Sequence, residues 1–196
     1  MKELTKTLAL RQTAELVLRS RFDFFAEGKY WHVRSIPLAK KWNLLKSGLD
    51  HFARRRRTLA QPTGLMIEPT DLCNLDCTGC WTNDPAHRGQ SRYLSVDGFR
   101  RIVHELGGYL FIIWLWGWGE PFLNKNIYEM IGLARRKGIV VISSTHGNLS
   151  WDDRELEALV SSGLSKLIVA VDGLDQATYA KYRIGGRLPT VLENIQ

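Results

Sequence analysis

Apolar positions near the start of the chain are only roughly periodic. Leu8, Val17, Leu18, Phe22 and Phe25 recur at near-helical spacing with charges between them, which predicts a helical, partly irregular opening. Pro37 interrupts it. A cleaner pattern follows over residues 38–52, where Leu38, Trp42, Leu45, Leu49 and Phe52 fall at three- and four-residue steps. That spacing puts all five on one face of a helix. The run Arg54, Arg55, Arg56 and Arg57 comes next. Ala60-Gln61-Pro62-Thr63-Gly64 then marks a boundary, because Pro and Gly punctuate elements. Residues 1–63 are expected to form a largely helical extension, and residues 64–196 a separate body.

Beyond Gly64 the pattern becomes strand–helix alternation. Residues 65–68 predict a short strand. Ser95 is placed to cap a helix running to Leu106, with Val96, Phe99, Ile102, Val103 and Leu106 on one face and Gly107-Gly108 as its stop. Residues 109–116, rich in aromatic and β-branched side chains, predict the next strand. A helix starts at Asn124 or Asn126, carries Ile127, Met130, Ile131 and Ala134, and closes with Arg135, Arg136, Lys137 and Gly138. Cations in a last turn followed by glycine suit a helix C-terminus. Residues 139–144 predict a strand. Ser150-Trp151-Asp152-Asp153 resembles a capping box that opens a helix to Ser162. Residues 166–171 predict a fourth strand, and Asp175 caps a further helix containing Tyr179. The strands read as near-continuous apolar runs, as parallel strands covered on both faces do. The fold class expected is α/β with a parallel sheet, open or partly closed.

Composition sharpens this picture in one respect. Hydrophobic residues at 44% and charged residues at 24% predict a folded chain. Lys and Arg number 14 against 5 Asp and Glu in residues 1–63, but 13 against 15 in residues 64–196. The basic character therefore belongs to the extension. Three uses are open for it: packing on the α/β body, attachment to an anionic membrane surface through residues 38–57 with Lys40, Lys41, Lys46 and the four arginines, or contact with nucleic acid. The last is disfavoured, because no base-reading module accompanies the arginines. The longest near-apolar run, residues 109–118, is too short to cross a bilayer, and the N-terminus lacks the apolar core of a signal peptide. The expected location is cytoplasmic or membrane-peripheral.

The chain has three cysteines, Cys73, Cys77 and Cys80, in the loop after the first predicted strand. An odd number excludes a complete disulfide framework, and tight clustering points to metal or catalysis. Beside three ordinary buried thiols, two metal-binding readings stand on the residues alone. One is a zinc site completed by a histidine, with His87 nearest. The other is a cubic iron–sulfur cluster with three protein ligands and one iron left for another ligand. Structural zinc sites usually divide their ligands into two pairs, and clusters that only transfer electrons normally have four cysteines, so the spacing favours the second.

The Cys-x3-Cys-x2-Cys segment, with ordered motifs at later strand ends, resembles the radical S-adenosylmethionine (radical SAM) enzymes. The resemblance covers about residues 64–196. It implies the first four βα units of a partial (β/α)6 TIM-like barrel, with a 4Fe–4S cluster on Cys73, Cys77 and Cys80 as the catalytic centre. It also implies S-adenosylmethionine as second cofactor, reductively cleaved to a 5′-deoxyadenosyl radical that abstracts hydrogen from a peptide, protein or small-molecule substrate. Trp118, Gly119, Glu120 and Pro121 match the segment that binds the methionine amino group, with Trp118 where the family has glycine. Thr145 and His146 match a cofactor-lining segment, with His146 where asparagine is frequent. Asp172 and Arg183 match the fourth strand end and the stretch beyond it, Arg183 facing the cofactor carboxylate, while Ala170 replaces a frequent serine. Gly79 stands where the family often has an aromatic residue. A reductase, ferredoxin or flavodoxin is implied as electron donor. The resemblance extends to members with a C-terminal Cys-rich auxiliary-cluster domain. Because Gln196 falls in the helix after the fourth strand, the chain looks C-terminally incomplete. The competing expectation is a non-catalytic iron–sulfur or zinc-binding accessory protein.

Overall fold

The computed structural model describes residues 2–84 and 92–196, with side chains from residue 11 onward. His87 and the side chain of Leu8, both used above, lie outside the described residues. The chain divides into two compact units, residues 1–63 with 108–110, and residues 64–107 with 111–196.

The first unit contains α1 (Lys2–Arg19), β1 (Arg21–Ala26), β2 (Lys29–Arg34) and α2 (Leu38–Phe52). The expectation of a helical, irregular extension is corrected here. α1 stops at Ser20, whose φ of +52° leaves the helical region, and an antiparallel hairpin follows. Its two-residue turn is Glu27-Gly28, with φ of +50° and +72°. A turn left-handed at both positions matches the twist of paired strands. Phe22 and Phe25 therefore sit on β1, Phe22 opposite Val33 and Phe25 opposite Tyr30, instead of continuing a helical stripe. The Phe25 and Tyr30 rings meet edge-on at 5.1 Å.

α2 has the predicted bounds but the opposite orientation from a core helix. Its buried residues are Lys40, Asn43 and Asp50, while Leu38, Trp42, Leu49 and Phe52 are exposed. The inner face is polar because it satisfies the backbone of the segment that follows. The Asn43 side chain donates to Gln61 O (2.9 Å) and accepts from Gln61 N (2.7 Å). Asp50 Oδ2 accepts from Leu59 N (2.7 Å) and Ala60 N (3.0 Å). Unpaired buried backbone groups are costly, so four such bonds outweigh an apolar inner face.

The second unit is α/β. Its strands are β3 (Gly64–Met66), β4 (Ile112–Trp114), β5 (Val140–Thr145) and β6 (Lys166–Val169), parallel and in the order β3-β4-β5-β6. Between and after them come α3 (Val96–Leu106), α4 (Ile127–Arg136), α5 (Asp153–Ser161), α6 (Gln176–Tyr182) and α7 (Leu188–Ile195). Three strands are shorter than predicted, because their ends leave the sheet to build loops. Single backbone bonds prolong the ladder, Ile67 N to Trp114 O and Leu115 N to Ile142 O, both 2.8 Å. The core is formed by Phe99 and Val103 of α3, Ile127, Met130, Ile131 and Ala134 of α4, and the residues of β4 and β5. Ser95 Oγ accepts from Gly98 N at the start of α3. The capping box of α5 is formed by Asp152 and Glu155, two residues later than the serine of the predicted motif. α6 and α7 both follow β6 where one helix was expected. Tyr179, Leu188 and Val191 bury together there, with Val169 of β6 against them. Among the described residues no helix is long and apolar enough to cross a membrane.

Candidate functional site

The loops leaving the carboxyl ends of β3, β4, β5 and β6 converge on one pocket of about 270 Å³. Cys73, Cys77 and Cys80 come from the loop after β3. Residues 116–121 come from the loop after β4. Ser144, Thr145 and His146 end β5, Ala170 follows β6, and Tyr182 and Arg183 close α6. Every predicted site residue except Asp172 lines this wall. Ligands of open parallel sheets sit at strand carboxyl ends because the loops there can supply converging groups.

Two clamps hold the cysteine loop. At its start, Glu120 N donates to Leu72 O (2.8 Å), and Glu68 Oε1 accepts from Gly119 N (3.2 Å) and from Trp118 N. A Cβ at Gly119 would stand 2.1 Å from Thr70 O and 2.8 Å from Leu72 O. The resemblance places Gly119 in a segment that binds the methionine amino group. In the structure, the carbonyls it admits belong to the cysteine loop itself. At the far end, Asp76 N donates to Ile184 O (2.9 Å) and Thr78 N to Tyr182 O (3.0 Å). Gly79 turns the chain between Cys77 and Cys80 with φ of +74°, a conformation that side chains resist, which accounts for glycine where an aromatic is common.

Arg183 is fixed by Asp172, its Nε donating to Asp172 Oδ2 at 2.7 Å. Its Nη1 lies 3.6 Å from Cys77 Sγ. Asp172 thus acts on the pocket through the guanidinium it orients. Glu120 is buried with its oxygens occupied, Oε1 by Phe122 N (3.2 Å) and Oε2 by His146 N (3.0 Å). Burial pushes its pKa up to about 7, opposed by those bonds. His146 Nδ1 accepts from Asn148 N (2.9 Å), so the ring proton sits on Nε2. That Nε2 meets Asn74 Oδ1 at 2.9 Å and Glu120 Oε2 at 3.2 Å. Burial, then the nearby Arg183 charge, hold the His146 pKa down to about 4, so the ring is neutral. His146 and Glu120 therefore brace the loop of Asn74 against the end of β5. Glu68, Asn74 and Asn148 escaped the sequence reading, since single polar residues outside a motif carry no signal of their own.

The thiols suit a multinuclear group. Burial pushes the Cys73 pKa up to about 11, and the charges of Glu120, Cys77 and Cys80 push the same way. Three mutually repelling thiolates call for a cationic centre among them. Among the described residues, no three His, Cys, Asp or Glu side chains converge tightly enough to hold one ion. All three sulfurs line one pocket, as a cluster carrying a different iron on each thiolate would require.

Comparisons with known proteins identify the family. The family model of the radical SAM superfamily matches residues 67–196. The chain is 30% identical over 152 residues to a GTP 3′,8-cyclase of Synechocystis sp., covering 77% of this chain and 44% of the cyclase. It is 31% identical over 115 residues to an Fe-coproporphyrin III synthase of Methanosarcina barkeri, covering 58% of this chain and 28% of the synthase. The chain thus spans less than half the length of these curated relatives. In fold it is similar to Streptococcus suis SuiB bound to S-adenosylmethionine, with a TM-score of 0.61 at 18% identity over 96% of this chain and 40% of SuiB.

Proposed function

The chain belongs to the radical SAM superfamily, whose members use a 4Fe–4S cluster and S-adenosylmethionine, and from that premise we propose that residues 64–196 carry the radical-generating site of an enzyme. In this reading Cys73, Cys77 and Cys80 hold the cluster as thiolates. S-adenosylmethionine lies against residues 118–121, Thr145 and His146. When bound, the cluster supplies the electron that cleaves the sulfonium C–S bond, and the radical released takes hydrogen from a substrate. Residues 1–63 form an extension with a separate role.

The observation that carries the proposal is the convergence of all three cysteines with four strand ends on a single pocket. The protein's own part is preparation. Arg183, oriented by Asp172, sets a positive charge beside Cys77 Sγ, on the wall where the cluster would sit. Glu68 and Gly119 fasten the loop after β4 to the cysteine loop, so both walls move as one. Neutral His146 and buried Glu120 hold that arrangement through their hydrogen bonds to the end of β5 and to Asn74. Trp118 lines the pocket with its ring 6.4 Å from that of Trp81, and a ferredoxin, flavodoxin or reductase is the electron donor this chemistry requires. A cyclase and a synthase with different products are both among the relatives, so the shared inheritance is the radical chemistry and not a substrate.

Anaerobic reconstitution with iron and sulfide tests the reading. The expected result is a brown protein that forms methionine and 5′-deoxyadenosine when reduced in the presence of S-adenosylmethionine. The triple variant C73A/C77A/C80A is expected to hold no iron. A triple variant that keeps iron and still cleaves S-adenosylmethionine would falsify the assignment, and a brown wild-type protein that yields no 5′-deoxyadenosine would transfer it to an iron–sulfur accessory role.

A further inference from the structure

The outward face of α2 combines two properties rarely found together on a free protein surface. Leu38 is 68% exposed, Trp42 57%, Leu49 61% and Phe52 67%, and Leu59 just beyond the helix is 53% exposed. At 100° per residue these four helical residues, with Leu45, fall within an arc of about 80°. Lys41 and Lys46 flank that arc on opposite sides, and Arg54, Arg55, Arg56 and Arg57 are all exposed at its C-terminal end. Between residues 28 and 67 the sole carboxylate is Asp50. It is buried on the opposite face, where Oδ2 accepts from the amides of Leu59 and Ala60 and Oδ1 lies 3.8 Å from Arg55 Nε, leaving Arg54, Arg56 and Arg57 of the run. Within residues 28–67 the charges beside the apolar stripe are therefore all positive.

We propose that this face docks on an anionic lipid bilayer, with α2 lying in the plane of the surface. Leucine, tryptophan and phenylalanine would enter the boundary between headgroups and acyl chains, where indole rings are favoured. The lysines at the rim reach back to the headgroup level, and the arginine run pairs with anionic headgroups. Charge complementarity selects this occupant over the others. A nucleic acid would engage the arginines but leave five large apolar side chains in water. A second copy of the chain would cover the stripe but bring two cationic rims together.

Vesicle sedimentation with the 196-residue chain tests the proposal, using phosphatidylcholine alone and equal parts of phosphatidylcholine and phosphatidylglycerol. The chain is expected to bind the anionic vesicles only, and less as salt rises. W42S/L49S and R56Q/R57Q are each expected to bind at least about tenfold more weakly, the first through lost apolar burial and the second through lost charge. Both pairs are exposed, so circular dichroism and thermal unfolding should match the parent chain. Absence of binding to anionic vesicles overturns the proposal. So does binding unchanged in W42S/L49S, tighter binding of an oligonucleotide than of the vesicles, or self-association that W42S/L49S abolishes.

Discussion

α2 and α4 are both amphipathic, and they solve opposite problems. α4 turns Ile127, Met130, Ile131 and Ala134 inward until none is accessible, because the neighbouring β5 offers an apolar surface to cover. α2 turns Lys40, Asn43 and Asp50 inward, because its neighbour is a loop whose amides at Leu59, Ala60 and Gln61 need acceptors. A periodic apolar stripe thus reports that a helix has two unlike faces. Which face goes in depends on what the adjacent segment lacks.

The largest expected effect separates the two units by chemistry. Any one of Cys73→Ala, Cys77→Ala or Cys80→Ala should abolish cluster retention, read as iron content and visible absorbance, while vesicle binding by the first unit persists. The next contrast concerns packing. Ile131→Ala should lower stability by about 2–5 kcal/mol in urea unfolding, because it opens a cavity in a closed core. Gly119→Ala should cost about 1–3 kcal/mol and reduce iron content, since its methyl group displaces the Thr70 and Leu72 carbonyls. A pH series then probes the polar inner face of α2. Burial lowers the Lys40 pKa from 10.5 to about 8. Between those values the unfolded chain binds the extra proton, so stability should rise as pH climbs from about 8 to about 10.5 and stay level below. Lys40→Met should remove that slope from the melting curves. The smallest effect is the sharpest partner to Ile131: Leu49→Ala, at an equivalent place in its helix pattern, should stay within about 0.5 kcal/mol of the parent. A loss of several kcal/mol there would erase the comparison.

Much of the second unit could be read from the chain. Ser95 through Leu106, and Ile127 through the basic turn ending α4, lie where periodicity and caps placed them. The three cysteines were legible because their spacing within one loop is itself a local pattern. The hairpin was not. Its turn is Glu27-Gly28, without the asparagine or aspartate that usually advertises such turns, and Phe22 and Phe25 also fit a helical interval. The alternation of Phe22 with Phe24, and of Trp31 with Val33, was the available signal for strands. The clamps around the site stayed hidden for another reason. Glu68 meets residues 50 positions away, and Asn74 meets His146 across 72, distances at which a sequence carries no local pattern.

The far clamp of the cysteine loop also imposes an order on the making of the protein. Cys77 leaves the ribosome 106 residues ahead of Arg183. At about 5–20 residues per second, that separation corresponds to roughly 5–20 s of synthesis. Throughout it the thiols are without the guanidinium, and Asp76 and Thr78 are without the carbonyls of Ile184 and Tyr182. The wall formed by Tyr182 and Arg183 is translated after the residues of the other walls. An oxidant present during translation meets three unclamped thiols, and one arriving after release meets a braced loop.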